Sequence, residues 1–244
     1  MKPVSKEAVF VMGASGKLGK RVSVALASDY ELILQCNRRC VELSKYLREN
    51  LSVELLNNVH IVRHDFLKEG VSSLTSKIFE VVNELKAAVL IHPVFNQTPT
   101  HELRDEVVEK VVKLNLITPL LILKELLKFM RGGDSIVVFL TDLTPIKGSK
   151  AYLGLKPSLP NIASVAGIHA VIKNSVNYVP ENVRVVGLAL NWVDTEALTP
   201  DLRKALSDAG VKLINPNDLA GFIKQLIRNS PRELRSVVIE FGCV

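Results

Sequence analysis

The chain alternates between short, unbroken apolar runs and longer stretches in which apolar residues recur at helical spacing. The short runs lie at 8–12, 32–35, 59–62, 88–91, 135–140, 183–190 and 237–241, and they are rich in valine and isoleucine. Side chains along a strand point alternately to its two faces, so a strand with one wet face reads as an alternation. Unbroken apolar runs instead predict strands covered on both faces, as in a parallel sheet. The amphipathic stretches at 17–27, 41–49, 73–85, 103–130, 162–178 and 218–229 predict the covering helices. Seven strands interleaved with helices imply a doubly wound α/β sheet. Glycine and proline fall mostly between elements, notably at Gly132, Gly133 and along 145–160, and no repeat or linker divides the chain. One domain over residues 1–244 is the simplest organisation.

Composition narrows the function classes. Of the 244 residues 48% are hydrophobic, enough for a core without metals or disulfides, and the 23% charged residues argue against disorder. A net charge of +6 suits nucleic acid or an anionic small molecule. The basic residues are spread out, with no run of five or six and no interleaved aromatics, so nucleic acid is not expected as a partner. Cys36 and Cys40 are four apart, but with Cys243 they make no zinc set. They are expected as small apolar thiols in a reducing compartment, with no metal bound. Met1 to Lys6 show no apolar signal region, and the apolar stretch 115–130 is broken by Lys124, Glu125 and Lys128. The expectation is a cytoplasmic protein with no membrane partner.

Directly after the first run comes Gly13-Ala14-Ser15-Gly16-Lys17-Leu18-Gly19, and helical spacing follows it. The first glycine permits a tight turn, the second lets the backbone approach a phosphate, and the third lets the helix pack on the strand. The N–H groups at the start of that helix face the pyrophosphate. Strand, glycine turn and helix in this order point to a Rossmann-type dinucleotide site, with Gly13, Ser15, Gly16, Lys17, Leu18 and Gly19 around the cofactor. The second run ends Cys36-Asn37-Arg38-Arg39. An acidic residue there would accept from the ribose hydroxyls of NAD, whereas two guanidinium forks suit a 2′-phosphate. Asn37, Arg38 and Arg39 therefore favour NADP(H), the other reading being that they only open a solvated helix.

With these residues the chain resembles the short-chain dehydrogenase/reductase superfamily over essentially its whole length. Asp65-Phe66 follows the third strand, where that family contacts adenine. Asn115, in Asn115-Leu116-Ile117-Thr118-Pro119, is similar to the family's helix asparagine that holds an active-site water. Ser135-Ile136-Val137-Val138 resembles the strand leading to the catalytic site. Asn182-Val183-Arg184-Val185 resembles the strand before the loop Asn191-Trp192-Val193-Asp194-Thr195, whose Thr195 corresponds to a threonine at the nicotinamide end. Asn215-Pro216-Asn217-Asp218-Leu219-Ala220 is similar to the family's Pro-Glu-Asp-(Ile/Val)-Ala. Within the superfamily the likeness is to pteridine reductases, through Lys17 in the glycine loop, the strand-end aspartate in Leu140-Thr141-Asp142, and Asn115 with Pro119.

The resemblance departs at the reacting end. The family uses a tyrosine acid with a lysine four residues later on one helix. Tyr152 and Lys156 have that spacing, but Pro157 disfavours helix at Lys156 and Pro160 fits a first helical position. Counting back from Arg184 without gaps puts the two family positions on Pro160 and Ser164 instead. Where the family has Asn-Asn-Ala-Gly after the fourth strand, this chain has His92-Pro93-Val94-Phe95. Phe95 either crowds the nicotinamide or stacks on a flat substrate. His92 borders the cofactor site as either a proton donor or a satisfied strand-end histidine. Asp142 is either a turn residue or a substrate-facing carboxylate. Two functions follow. One is an NADPH-dependent reductase of a small carbonyl, imine or pterin-like substrate, with Asn115, Asp142, Tyr152 and Lys156 as candidate catalytic residues. The other is a degenerate relative that binds NADP(H) or another nucleotide as an assembly module. The helices at 103–130 and 162–178 are apolar on more than one face, and their family counterparts pair across subunits, which implies a homodimer or homotetramer.

Overall fold

The structure is a computed structural model that describes residues 6–91, 94–147 and 157–242. Its sheet has seven parallel strands in the order β3-β2-β1-β4-β5-β6-β7. They are β1 (Ala8–Met12), β2 (Glu31–Cys36), β3 (Val59–Arg63), β4 (Ala87–Ile91), β5 (Ser135–Asp142), β6 (Val183–Leu190) and β7 (Val237–Phe241), as the seven apolar runs predict. The runs are unbroken because both faces are buried. In β1, Val9 and Val11 enter one core layer, while Ala8, Phe10 and Met12 enter the other.

The first layer packs under α1 (Lys17–Leu26), α2 (Cys40–Asn50) and α10 (Pro216–Asn229), through Val22, Leu26, Leu43, Leu219 and Ile223. The second packs under α4 (Val71–Phe79), α6 (Thr118–Leu126) and α8 (Leu159–Asn174), through Leu74, Ile78, Ile122, Leu126, Ile168 and Ile172. The chain winds outward from β1 to β3 and then returns to place β4 on the other side of β1. That reversal opens a crevice at the carboxyl ends of β1 and β4.

Several elements differ from the sequence reading. The single helix expected at 103–130 is α5 (Asp105–Val112), one π-helical turn (Lys113–Ile117) and then α6. Pro119 has no N–H to give the Asn115 carbonyl four residues back, so the regular ladder fails there. The helix expected at 73–85 stops at Phe79; Val82 and Leu85 are buried beyond it and mimic helical spacing. Three helices were not expected: α3 (Val53–Leu56), α7 (Thr144–Lys147) and α9 (Pro200–Asp208). The largest correction concerns cysteine. Cys36 and Cys40 are joined in a disulfide, not two thiols, because the end of β2 and the start of α2 bring their Cα atoms to 5.4 Å. Among the described residues, no helix is long and apolar enough to cross a membrane and no cluster could hold a metal ion.

Candidate active site

At the crevice, the glycine turn is built by its neighbours. Gly13 adopts φ +74°, a conformation few side chains tolerate. Its N–H donates to Gln35 Oε1 (2.9 Å), Ala14 N donates to Gln35 O (2.9 Å), and Gln35 Nε2 donates to His64 O (2.9 Å). Buried Gln35 therefore ties the ends of three strands together. Its sequence signal is a polar residue inside a strand covered on both faces. A Cβ on Gly19 would lie 2.4 Å from Gly13 O and 2.8 Å from Ala14 Cα, so only glycine lets α1 start this close to the turn. Gly16 caps α1 without a side chain, which leaves its first N–H groups available to an anion.

These residues open on a cavity of about 390 Å³, which also collects Asn37, Arg38, Arg39, Asp65 and Phe66. Ser15 and Gly16 lie in its wall as well. The three other predicted loop residues have different work. Gly19 is a packing position, Leu18 packs on the first core layer, and Lys17 pairs with Glu196 (3.7 Å). Arg21 also binds Glu196 (2.5 Å), and chiefly this bond holds the Glu196 carboxyl down at about 2. The carboxylate is thus charged at any ordinary pH and links the loop after β6 to α1. Behind the cavity, burial pushes the His64 imidazole below the usual histidine range, and it meets Phe66 edge-on at 4.8 Å.

A second, mainly apolar cavity of about 380 Å³ lies at the ends of β5 and β6, with Phe95, Thr141, Asp142, Trp192 and Thr195 in its wall. Val94 lines the first cavity and Phe95 the second, so this one segment separates them. Asn115 holds it in place. Its Oδ1 accepts from Val94 N (3.2 Å), and its Nδ2 donates to Val94 O (2.7 Å) and to Asn161 Oδ1 (3.3 Å). Asp142 borders the cavity while its Oδ1 accepts from Thr144 N (2.9 Å), so the turn role and the cavity-facing position coexist. Thr141 Oγ1 bonds the buried His169 Nε2 (2.8 Å). Arg203 pairs with Asp194 and donates to Thr195 O (2.8 Å), tying down the β6 loop.

The structure thus brings Asp142 and Thr195 together, and sets Asn115 on the wall between the cavities. Pro160 and Ser164 lie buried in α8, with Ser164 Oγ donating to Pro160 O (2.6 Å). His92, Tyr152 and Lys156 lie outside the described residues. Thr141 with His169, and Trp192, were not singled out from the sequence. The first pair is 28 residues apart and is joined only by the fold, whereas Trp192 stood visibly in the loop before Thr195.

Residues 7–205 match the family model described as short chain dehydrogenase. Among curated proteins none matches the sequence significantly. Solved structures share the fold at low identity. A short-chain dehydrogenase/reductase from Serratia marcescens has a TM-score of 0.78 at 16% identity, covering 98% of each chain. An actinorhodin polyketide ketoreductase variant with NADPH has 0.79 at 19%, covering 97% of this chain and 96% of that one. BdcA in complex with NADPH has 0.76 at 12%, covering 97% and 93%.

Proposed function

The chain belongs to the short-chain dehydrogenase family of nicotinamide-dependent oxidoreductases, and from that premise we propose an NADPH-dependent reductase of a small carbonyl, imine or pterin-like compound. One observation carries the cofactor reading. Arg38 and Arg39 share a cavity with the glycine turn, with no acidic residue at the strand end between them and β2. The residues fit the cofactor: the N–H groups after Gly16 meet the pyrophosphate, the arginines the 2′-phosphate, and Asp65 with Phe66 the adenine. Two of the similar structures are complexes with NADPH. When bound, the cofactor supplies the hydride. Phe95 and Trp192 favour a flat substrate, and Asp142 delivers the proton, with Tyr152 as the alternative donor. The likeness to pteridine reductases supports the pterin alternative.

A second reading, a binding module without turnover, is supported by the gap-free count back from Arg184, which puts the family's tyrosine and lysine positions on Pro160 and Ser164. The test is NADPH oxidation with a panel of carbonyl and pterin compounds, run beside a direct NADPH titration. Turnover supports the reductase, and tight binding with no turnover supports the module.

Two variants sharpen this. Arg38→Ala removes a charge-assisted contact worth about 1.5–3 kcal/mol, so NADPH affinity falls roughly ten- to a hundredfold while NADH affinity holds. An equal loss for both cofactors would rule out a 2′-phosphate role. Tyr152→Phe leaves reductase activity nearly intact, because Pro157 and Pro160 interrupt the helix that the tyrosine–lysine pair needs. A true general acid contributes about 10²–10⁴-fold, so a loss of that size would restore Tyr152 to the mechanism.

The protein acts as a homodimer or homotetramer in this reading. An apolar depression of about 540 Å³ runs between α6 and α8, past Leu120, Leu127 and Val171, with Tyr178 82% exposed at its end. Light scattering should give a multiple of the 26.9 kDa chain mass, and a monomer at micromolar concentration would end the proposal.

A further inference from the structure

Cys36 closes β2, Cys40 opens α2, and the disulfide between them makes a small ring. The ring encloses Asn37, Arg38 and Arg39 and no other residue, and these three line the cofactor cavity together with Cys36. The ends of the segment are anchored by backbone bonds, His64 N to Cys36 O (2.9 Å) and Leu43 N to Arg39 O (3.0 Å). Both arginines are exposed, and among the described residues neither guanidinium has a bonding partner in the protein. Between the two anchors, the covalent ring is therefore the tie that fixes where the guanidinium groups start.

We propose that Cys36 and Cys40 are a reversible thiol–disulfide site that sets the affinity of this cavity for the 2′-phosphorylated cofactor. The proposal rests on the reading of Arg38 and Arg39 as 2′-phosphate ligands. The oxidised ring presents them pre-organised, and the reduced segment must be ordered when the cofactor binds, which costs affinity. The geometry also sets the direction of exchange. Cys36 is 1% exposed, whereas Cys40 is only partly buried, so an incoming thiolate reaches the Cys40 sulfur. A small-molecule thiolate such as glutathione forms a mixed disulfide with Cys40 and expels Cys36 as thiolate, which takes a proton. A second thiolate attacks the glutathione sulfur of that mixed disulfide and expels Cys40. The protein disulfide gains two electrons and two protons, and two thiols become one small-molecule disulfide. The reverse reaction with glutathione disulfide restores the ring.

The test uses the whole protein, oxidised with glutathione disulfide or reduced with a phosphine, with each state verified by intact mass. Each form is titrated with NADPH and with NADH, and Cys40→Ser is titrated alongside. The expected result is NADPH binding about tenfold weaker in the reduced form, with NADH little changed and Cys40→Ser matching the reduced form under both conditions. An NADPH preference of equal size in both redox states overturns the switch and leaves the cofactor reading standing. Equal NADPH and NADH affinity in the oxidised form overturns the cofactor reading and the switch with it. Failure of the intramolecular disulfide to form under glutathione disulfide also overturns the proposal.

Discussion

Replacing Gly19 with alanine weakens NADPH binding by about a hundredfold and lowers the thermal midpoint. The new Cβ would stand 2.4 Å from Gly13 O and 2.8 Å from Ala14 Cα, and both of these are backbone atoms. Neither side yields easily. The turn is pinned to Gln35 by two hydrogen bonds, and α1 is held by buried Val22 and Leu26. Overpacking of this kind costs about 1–3 kcal/mol. The shift also misaligns the N–H groups proposed to meet the pyrophosphate, each worth about 1.5–3 kcal/mol to a charged partner. Gly221→Ala is the matched control, since nothing lies within 4 Å of its Cβ position in α10. It should keep NADPH affinity and raise the midpoint slightly, as alanine favours a helix interior. Unchanged NADPH affinity in Gly19→Ala would mean that this turn is not the phosphate site.

Asn115→Ala carries the second large effect. It removes three hydrogen bonds, two to Val94 that are part-buried and one to Asn161 that is buried. At about 0.5–1.5 kcal/mol for each bond, the loss is about 1.5–4.5 kcal/mol, or roughly 3–18 °C in Tm for a chain of this size. The Val94–Phe95 wall then loosens, so turnover should fall along with stability. Thermal unfolding followed by circular dichroism checks the first claim, and an unchanged Tm would show that the wall is held by other means.

How much of this was legible in the sequence follows from what local patterns encode. The strands were readable because burial on both faces leaves unbroken apolar runs, and the glycine turn because each glycine answers a separate steric demand. Helix breaks were less readable, since a π-turn at Lys113–Ile117 keeps its residues amphipathic; Pro119 was the visible clue. The start of α9 also left a sign that went unread, Thr199 capping Leu202 N just ahead of Pro200. The disulfide needed the meeting of a strand end and a helix start, which cysteine spacing alone does not specify. The reacting end was hardest, because Thr141 and His169, or Asn115 and Asn161, become neighbours only through the fold.

In the proposed reading, the cavity around Gly13, Arg38 and Arg39 holds NADP(H). That reading is tested most directly by titrating the oxidised wild-type protein with NADPH and with NADH, following nicotinamide fluorescence. NADPH is expected to bind tighter by about tenfold or more, the worth of one charge-assisted phosphate contact. Equal affinity for the two cofactors, or no binding of either, would contradict it.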